Sequence, residues 1–200
     1  MRLFLAVDLD DEARRAIAAE QTRLLSAVGE EGRIRRVRPD QMHVTLVFLG
    51  DVADEEATAT VEACGRPVDA QPFDVVFAGV GVFPPRGAPR ALWIGVDAGA
   101  ADLTALQQEM AARVAPFGHA EAGGAFEPHV TLGRWRRSRP SDRGRAVALA
   151  SRTPTARCRV DHVTLYRSEL PSAQHAGPAY TALAHATLTR GSSPERPTLT

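Results

Sequence analysis

Three stretches of the chain place the tripeptide His-Val-Thr inside a run of apolar and β-branched residues. They read MHVTLVFLG from Met42, PHVTLGRW from Pro128 and DHVTLYRS from Asp161. Runs of this composition are typical of β-strands, in which side chains at positions i and i+2 point to the same face of a sheet. Each stretch therefore predicts a strand with an imidazole and a hydroxyl on one face and apolar side chains on the other.

The rest of the chain alternates between helix and strand signals. Helical spacing and capping residues predict four helices: to Ala27 after a cap at Asp10 or Asp11, to Cys64 after a cap at Asp54, from Ala101 to Val114, and from Ser141 to Ala150. Further strands are predicted over 2–9, between 29 and 40, and over 73–83, 90–98, 157–170 and 179–189. Helices packed against antiparallel sheet make an α+β domain, and the second half repeats the order of the first.

The length and composition suit one globular domain, expected over residues 1–189, and exclude some chemistry. The chain has 200 residues and zero formal net charge, and all of its 24 basic side chains are arginine. A chain without lysine cannot form a P-loop or a covalent lysine intermediate. Cys64 and Cys158 lack CxxC spacing, and no stretch has the length and apolarity of a membrane span, so we expect a cytoplasmic protein. Residues 190–200 are too polar to pack and are expected to form a disordered tail.

Two of the three copies, His43 with Thr45 and His129 with Thr131, have similar flanking residues. Two such strands facing each other across a cleft would bring two imidazoles and two hydroxyls around one small volume. That set suits the cleavage of phosphate esters, because one histidine can accept a proton while the other donates one. The hydroxyls can donate hydrogen bonds to phosphate oxygens as negative charge builds up in the transition state.

Arginine is the side chain best matched to a phosphate group, and Arg134 lies five residues after His129. Strict alternation places Arg134 on the opposite face of the strand, so a role at the site requires the strand to end or bulge first. The clusters RIRRVR and RWRRSRPSDRGR flank the two stretches. They are equally consistent with the attraction of a phosphate-bearing substrate and with a solvated surface.

The chain resembles the 2H phosphoesterase superfamily, named for its two His-x-Thr/Ser motifs, and within it the RNA 2′,3′-cyclic phosphodiesterases, also described as 2′-5′ RNA ligases. The resemblance extends, in order, over RLFLAVDL, RPDQMHVTLVFLGDV, LWIGV, FEPHVTLGR, VDHVTLYRSEL and YTALAHATL. In the family a proline precedes the first motif, as Pro39 precedes His43. An aromatic residue and a proline precede the second, as Phe126 and Pro128 precede His129. The resemblance implies two pseudo-symmetric lobes of antiparallel sheet, with helices on the outside, around a V-shaped cleft.

The resemblance also implies roles for five residues. His43 is the expected proton donor, which protonates the departing 3′ oxygen of a 2′,3′-cyclic phosphate, and His129 is the expected proton acceptor, which activates water. Thr45, Thr131 and Arg134 are expected to bind the phosphate oxygens. The implied product is an RNA end with a 2′-phosphate, and no metal or cofactor is implied. The expected substrate is therefore RNA with a 2′,3′-cyclic phosphate end or a related cyclic nucleotide, acted on by a monomer away from any membrane.

The third copy matches a structural strand of the family, so His162 is expected to have no part in catalysis. Four alternatives remain open. Two lie within the family: ligation of RNA through a 2′-5′ bond, and another cyclic phosphodiester substrate. A third is a non-catalytic module that binds RNA through its arginines. The fourth is a metal hydrolase that uses His43, His129 and His162, although the chain lacks close-set ligands such as HxH or HExxH.

Overall fold

A computed structural model describes residues 1–28, 33–117, 125–151, 153–169 and 177–189. The tail expected over 190–200 lies outside these residues. Four helices are present: α1 (Asp11–Val28), α2 (Asp54–Gly65), α3 (Ala100–Val114) and α4 (Pro140–Ala148). Ten strands accompany them: β1 (Arg2–Asp8), β2 (Ile34–Arg36), β3 (His43–Asp51), β4 (Val68–Asp69), β5 (Phe73–Phe83), β6 (Ala91–Ala98), β7 (His129–Trp135), β8 (Ala156–Val160), β9 (His162–Glu169) and β10 (Ala179–Thr189). The predicted α+β class is confirmed.

The predicted N-terminal capping residue is correct for α1 and incorrect for α2. The backbone N–H of Ala13 donates to Oδ1 of Asp10 at 2.8 Å, which makes Asp10 the cap of α1. Asp54 is instead the first residue of α2, whose N-cap is Ala53 without a side-chain hydrogen bond. The prediction that Asp54 caps this helix was wrong. Its carboxylate lies in the first turn, where the helix dipole favours negative charge.

The single long strand predicted over 157–170 was also wrong. The chain breaks at Asp161, and β8 pairs with β5 while β9 pairs with β1 and β10. The burial pattern explains the break, because Val160 is buried and the next fully buried apolar residue is Val163. A step of three residues reverses the period-two alternation of a strand, so one uninterrupted strand could not bury both side chains on the same face.

The strands form one sheet in the order β4-β10-β9-β1-β3-β7-β6-β5-β8, with β2 also paired to β7. Neighbours are antiparallel throughout the described strands except for the short parallel pair of β4 with β10. The sheet divides naturally between β3 and β7, where the described pairing is limited to Val44 with Val130. Helices α2 and α3 pack on the first half, and α1 and α4 pack on the second.

The hydrophobic core lies between the helices and one face of this sheet. The apolar residues that alternate with the motif histidines and threonines are all buried there: Val44, Leu46, Val130 and Leu132. On the opposite face, at the junction of the two halves, no residue of helices α1 to α4 is among the described residues that line the surface. The polar side chains of β3 and β7 therefore point into an open cleft.

Candidate active site

Strands β3 and β7 bring the two predicted motifs together at the junction of the sheet. Because Val44 is the antiparallel partner of Val130, His43 lies across from Thr131 and Thr45 lies across from His129. All four side chains line a cleft of about 510 Å³. The two strands are neighbours at the base of this cleft rather than opposite walls of it, which differs from the arrangement expected from the sequence.

Arg134 reaches the same cleft because β7 contains a bulge. Thr131 pairs with Trp93, but the next pair along the strands joins Gly133 to Leu92, so Leu132 is one residue in excess. An extra residue reverses the alternation beyond it. Arg134 consequently lines the cleft together with His129 and Thr131. Without the bulge, strict alternation would place Arg134 on the opposite face, because it lies five residues after His129.

His43 is half-buried among aromatic rings. Its ring stacks on Phe4 with the ring centroids 5.0 Å apart and meets the edge of Tyr180 at 5.6 Å. Its Nε2 lies 3.1 Å from Oγ1 of Thr45. Burial lowers the pKa of His43 to about 4, although a hydrogen bond to the Gln41 backbone and the charge of Asp8 both favour the protonated form.

His129 has a similar setting in the other half of the sheet. Phe83 and Trp93 pack against its ring, with centroids 5.0 and 5.8 Å away. Its Nδ1 lies 2.7 Å from the carbonyl oxygen of Glu127, which can only accept, so Nδ1 carries the hydrogen. The lone pair of the neutral ring is then on Nε2. Burial lowers the pKa of His129 below its usual value, which favours this neutral form.

Asp8 is a polar residue of the cleft face that the sequence analysis missed. It is the β-sheet partner of His43, whereas the corresponding partner of His129 is Gly95. Its two carboxylate oxygens accept hydrogen bonds from Thr164 at 2.6 Å and from Tyr166 at 2.8 Å. The negative charge of Asp8 is therefore held beside His43 and favours its protonated form, and the charge of Glu127 acts in the same direction on the pKa of His129. The signal in the sequence was an acidic residue at the end of an otherwise apolar strand.

His162 is not among the described residues that line the cleft, and its Nε2 lies 3.5 Å from Oδ2 of Asp8. Its Nδ1 is 2.5 Å from Oδ1 of Asp161, and its ring packs edge-on against His185 at 5.5 Å. In the described part of the chain, no group of three or more His, Cys, Asp or Glu residues could hold a metal ion. The three histidines of the metal-hydrolase alternative are thus not assembled into one site.

Positive charge is concentrated on the cleft although the chain is neutral overall. Six arginines and no carboxylate are found among the described residues that line it; the arginines are Arg2, Arg35, Arg36, Arg38, Arg134 and Arg136. Arg143, from the second arginine cluster, has a structural role instead, because it donates to the carbonyl oxygens of Pro84 at 2.6 Å and Gly87 at 2.9 Å. Arginines of both clusters thus line the cleft, while Arg143 of the second cluster holds the loop that contains Pro84 and Gly87.

Comparison with known proteins places this chain in a family. Residues 7–171 match the 2′-5′ RNA ligase superfamily. An RNA 2′,3′-cyclic phosphodiesterase of Archaeoglobus fulgidus is 38% identical over 140 residues, which cover 70% of this chain and 76% of that protein. One of Methanothermobacter thermautotrophicus is 32% identical over 184 residues, which cover 90% of this chain and 95% of the relative.

A solved structure shares the fold over nearly the whole chain. The crystal structure of E. coli LigT complexed with 3′-AMP superposes with a TM-score of 0.72 at 27% identity, covering 94% of this chain and 98% of LigT. No helix in the described ranges is long and apolar enough to cross a membrane. The sequence match, the identity to these phosphodiesterases and the shared fold agree with one another. The chain belongs to the 2′-5′ RNA ligase superfamily of 2H phosphoesterases.

Proposed function

We propose that this protein hydrolyses RNA 2′,3′-cyclic phosphate ends to 2′-phosphomonoesters by general acid and base catalysis. The observation that carries the proposal is the pairing of Val44 with Val130, which gathers both His-x-Thr sets on one cleft floor. Relatives that cover most of the chain are named RNA 2′,3′-cyclic phosphodiesterases.

The reaction uses the two histidines on opposite sides of the phosphorus atom. Nε2 of His129 takes a proton from water, and the water oxygen forms a bond to phosphorus. The bond from phosphorus to the 3′ oxygen breaks, and protonated His43 gives its proton to that oxygen. Thr45, Thr131 and Arg134 donate hydrogen bonds to the non-bridging phosphate oxygens, where negative charge increases in the transition state.

The surroundings of the two histidines support this division of roles. Asp8 stabilises a proton on His43, whereas the hydrogen bond from Nδ1 of His129 to the Glu127 carbonyl leaves the lone pair of the neutral His129 ring on Nε2. The pKa of His43 is nevertheless about 4 in the free protein. Binding of the anionic cyclic phosphate supplies a second negative charge next to the ring, which raises the pKa of His43 at the moment when a proton is needed.

The arginines on the β2 side of the cleft suit the backbone of an RNA strand. Arg35 pairs in the sheet with Arg134, and Arg36 and Arg38 continue the same edge. LigT, which shares this fold, has been crystallised in complex with the nucleotide 3′-AMP. An RNA strand whose cyclic phosphate end lies at the histidines can run over the β2 side of the cleft. The phosphates of its preceding nucleotides then lie among guanidinium groups, which gives affinity without base preference.

We further propose that the protein works as a monomer in the cytoplasm. The large exposed apolar residues of the described chain are Met1, Phe48 and Val147, of which Phe48 lines the cleft and Val147 lies on helix α4. Cys64 and Cys158 are buried free thiols, and burial raises the pKa of each to about 11. Inert buried thiols suit a reducing compartment.

The test is turnover of a short RNA that ends in a 2′,3′-cyclic phosphate, with the position of the product phosphate determined by NMR or by nuclease digestion. A 2′-phosphate product supports the proposal, and a 3′-phosphate product contradicts the assigned leaving oxygen. A second reaction contains an acceptor RNA with a 5′-hydroxyl. A 2′-5′ linked product there identifies ligation at the same site, and RNA binding without turnover in either reaction indicates a non-catalytic module.

A further inference from the structure

Gln21 is a buried polar residue on the core-facing side of helix α1. The buried residues of this helix recur at helical spacing and lie on one face; they are Ala13, Ile17, Gln21, Leu24 and Val28. Gln21 has 2% of its surface exposed. An amide group is costly to bury among apolar side chains unless its polar atoms are hydrogen-bonded. The partners of this amide therefore indicate what the residue does.

The side-chain amide of Gln21 donates to two backbone carbonyl oxygens. Its Nε2 lies 2.7 Å from the carbonyl oxygen of Val37 and 2.7 Å from that of Leu132. A carbonyl oxygen can only accept, so the atom between the two is the NH2 group, and both of its hydrogens are used. The two partners are 16 and 111 residues away in sequence. Gln21 therefore joins two backbone segments that only the folded sheet brings together.

Leu132 is the excess residue of the β7 bulge. A bulged residue leaves the ladder of its strand, so its backbone groups need partners elsewhere. The carbonyl oxygen of Leu132 accepts from the backbone N–H of Val37 at 3.0 Å and from Nε2 of Gln21 at 2.7 Å. A carbonyl oxygen has two lone pairs, and these two bonds occupy both. The bulge is thus held in place from the core side of the sheet.

The bulge decides which face of the sheet Arg134 occupies. Arg134 reaches the cleft because Leu132, two residues earlier, reverses the alternation of the strand. The chain is also closely packed at this point. A Cβ atom added at Gly133 would lie 2.7 Å from Cγ2 of Ile34 and 3.6 Å from Cδ2 of Leu25 on α1. Helix α1 therefore fixes the bulge through close packing as well as through the hydrogen bond.

We propose that Gln21 is a positioning residue for the substrate phosphate, which acts through the bulge at Leu132 to hold the guanidinium group of Arg134 in the cleft. This inference rests on the proposed function, in which Arg134 donates to the non-bridging phosphate oxygens. Gln21 is not among the described residues that line the cleft, so its effect on the reaction passes through Arg134. Without the amide, the carbonyl group of the bulge loses a buried donor, and β7 can return toward regular alternation, which turns Arg134 away.

The experiment is a double-mutant cycle on a mononucleoside 2′,3′-cyclic phosphate. This substrate has no preceding phosphates for the arginines of the β2 side, so it isolates the contribution of Arg134. Arg134→Ala is expected to lower kcat/KM by roughly 10- to 150-fold, the effect of a lost hydrogen bond to a charged group. Gln21→Met keeps the size and helix propensity of the side chain but removes both donors, and it should lose at least about 5-fold. The double variant should be no slower than Arg134→Ala alone, because the group that Gln21 positions is already absent.

Two controls separate positioning from a purely structural role. Gln107→Met makes the same replacement at another buried glutamine, on α3 over the other half of the sheet, and should keep the wild-type kcat/KM. The urea midpoint of unfolding is measured for all variants. The hydrogen bonds of Gln21 do not involve Arg134, so Gln21→Met should lower this midpoint equally with and without Arg134. Its effect on the rate should disappear when Arg134 is absent.

An unchanged kcat/KM for a folded Gln21→Met protein would overturn the inference, and so would losses that multiply in the double variant. If Gln21→Met does not fold, Gln21→Asn enters the same cycle, because its amide is one methylene shorter and cannot reach both carbonyl groups; the same lack of additivity is expected. A wild type that does not turn over the substrate would refute the proposed function separately. The cycle is then measured on the dissociation constant of a nucleoside 2′-phosphate, where multiplying losses again overturn the role of Gln21.

Discussion

The indole ring of Trp93 packs against the imidazole ring of His129. The space for the indole ring depends on Gly81. The two residues are partners in the sheet, and a Cβ atom added at Gly81 would lie 2.0 Å from Cζ2 of Trp93. Carbon atoms in contact are about 3.5 Å apart or more, so the substitution Gly81→Ala must displace the indole by about 1.5 Å. The ring cannot yield by a small rotation, because two further ring atoms lie 2.2 and 2.5 Å from the same position.

The displaced indole is expected to impair catalysis more than folding. It packs between Phe83 and His129, with centroids 5.1 and 5.8 Å away, so its movement transfers to the imidazole. A misplacement of about 1 Å at a catalytic group can cost about 10²-fold in rate. Overpacking typically costs 1–3 kcal/mol, so the melting temperature should fall by roughly 2–12 °C for a domain of this size.

The assay is turnover of a cyclic-phosphate RNA by Gly81→Ala, together with thermal unfolding followed by circular dichroism. Gly144→Ala is the matched control, because a Cβ atom there meets nothing within 4 Å and the residue lies within helix α4. The control should keep full activity and be slightly stabilised, since alanine favours helix more than glycine does. Full activity of a folded Gly81→Ala protein would refute the claim that Trp93 positions His129.

Three further predictions concern protons and metal. Because burial lowers the pKa of His43 to about 4 and that of His129 below 6.5, kcat/KM should peak below pH 6.5; a maximum above pH 7 would contradict these environments. Asp8→Asn removes the negative charge that raises the pKa of His43, so the acidic limb of the profile should move to lower pH and the peak rate should fall. An unchanged profile for this variant would show that Asp8 acts only through the fold. Turnover should persist after exhaustive chelation, and loss of activity that one divalent ion restores would contradict a reaction carried by histidines.

The strand pattern predicted the placement of the motif side chains, because period-two alternation is a local property. His43 and Thr45 share a face for the same reason that Val44 and Leu46 are buried. The burial step from Val160 to Val163 was also a local signal, and it could have revealed the break that the analysis missed.

The remaining features depend on contacts between distant parts of the chain. The bulge at Leu132 is defined by the pairing of β7 with β6, so alternation along β7 alone placed Arg134 on the wrong face. Asp8 receives its hydrogen bonds from Thr164 and Tyr166, which are more than 150 residues away in sequence. No local pattern carries such information, and these contacts hold the Asp8 carboxylate beside His43.

The pairing of His43 with His129 is the central claim, and the most direct measurement of it is cyclic-phosphate turnover by four variants. His43→Ala and His129→Ala should each lose roughly 10²–10⁴-fold, as expected when a proton-transfer group is removed. The double variant should lose far less than the product of these factors, because the two groups act as a unit. His162→Ala should retain the wild-type rate, because the His162 ring is hydrogen-bonded to Asp161 and is not among the described residues that line the cleft. A folded His162→Ala protein as inactive as His129→Ala would contradict the assigned pair.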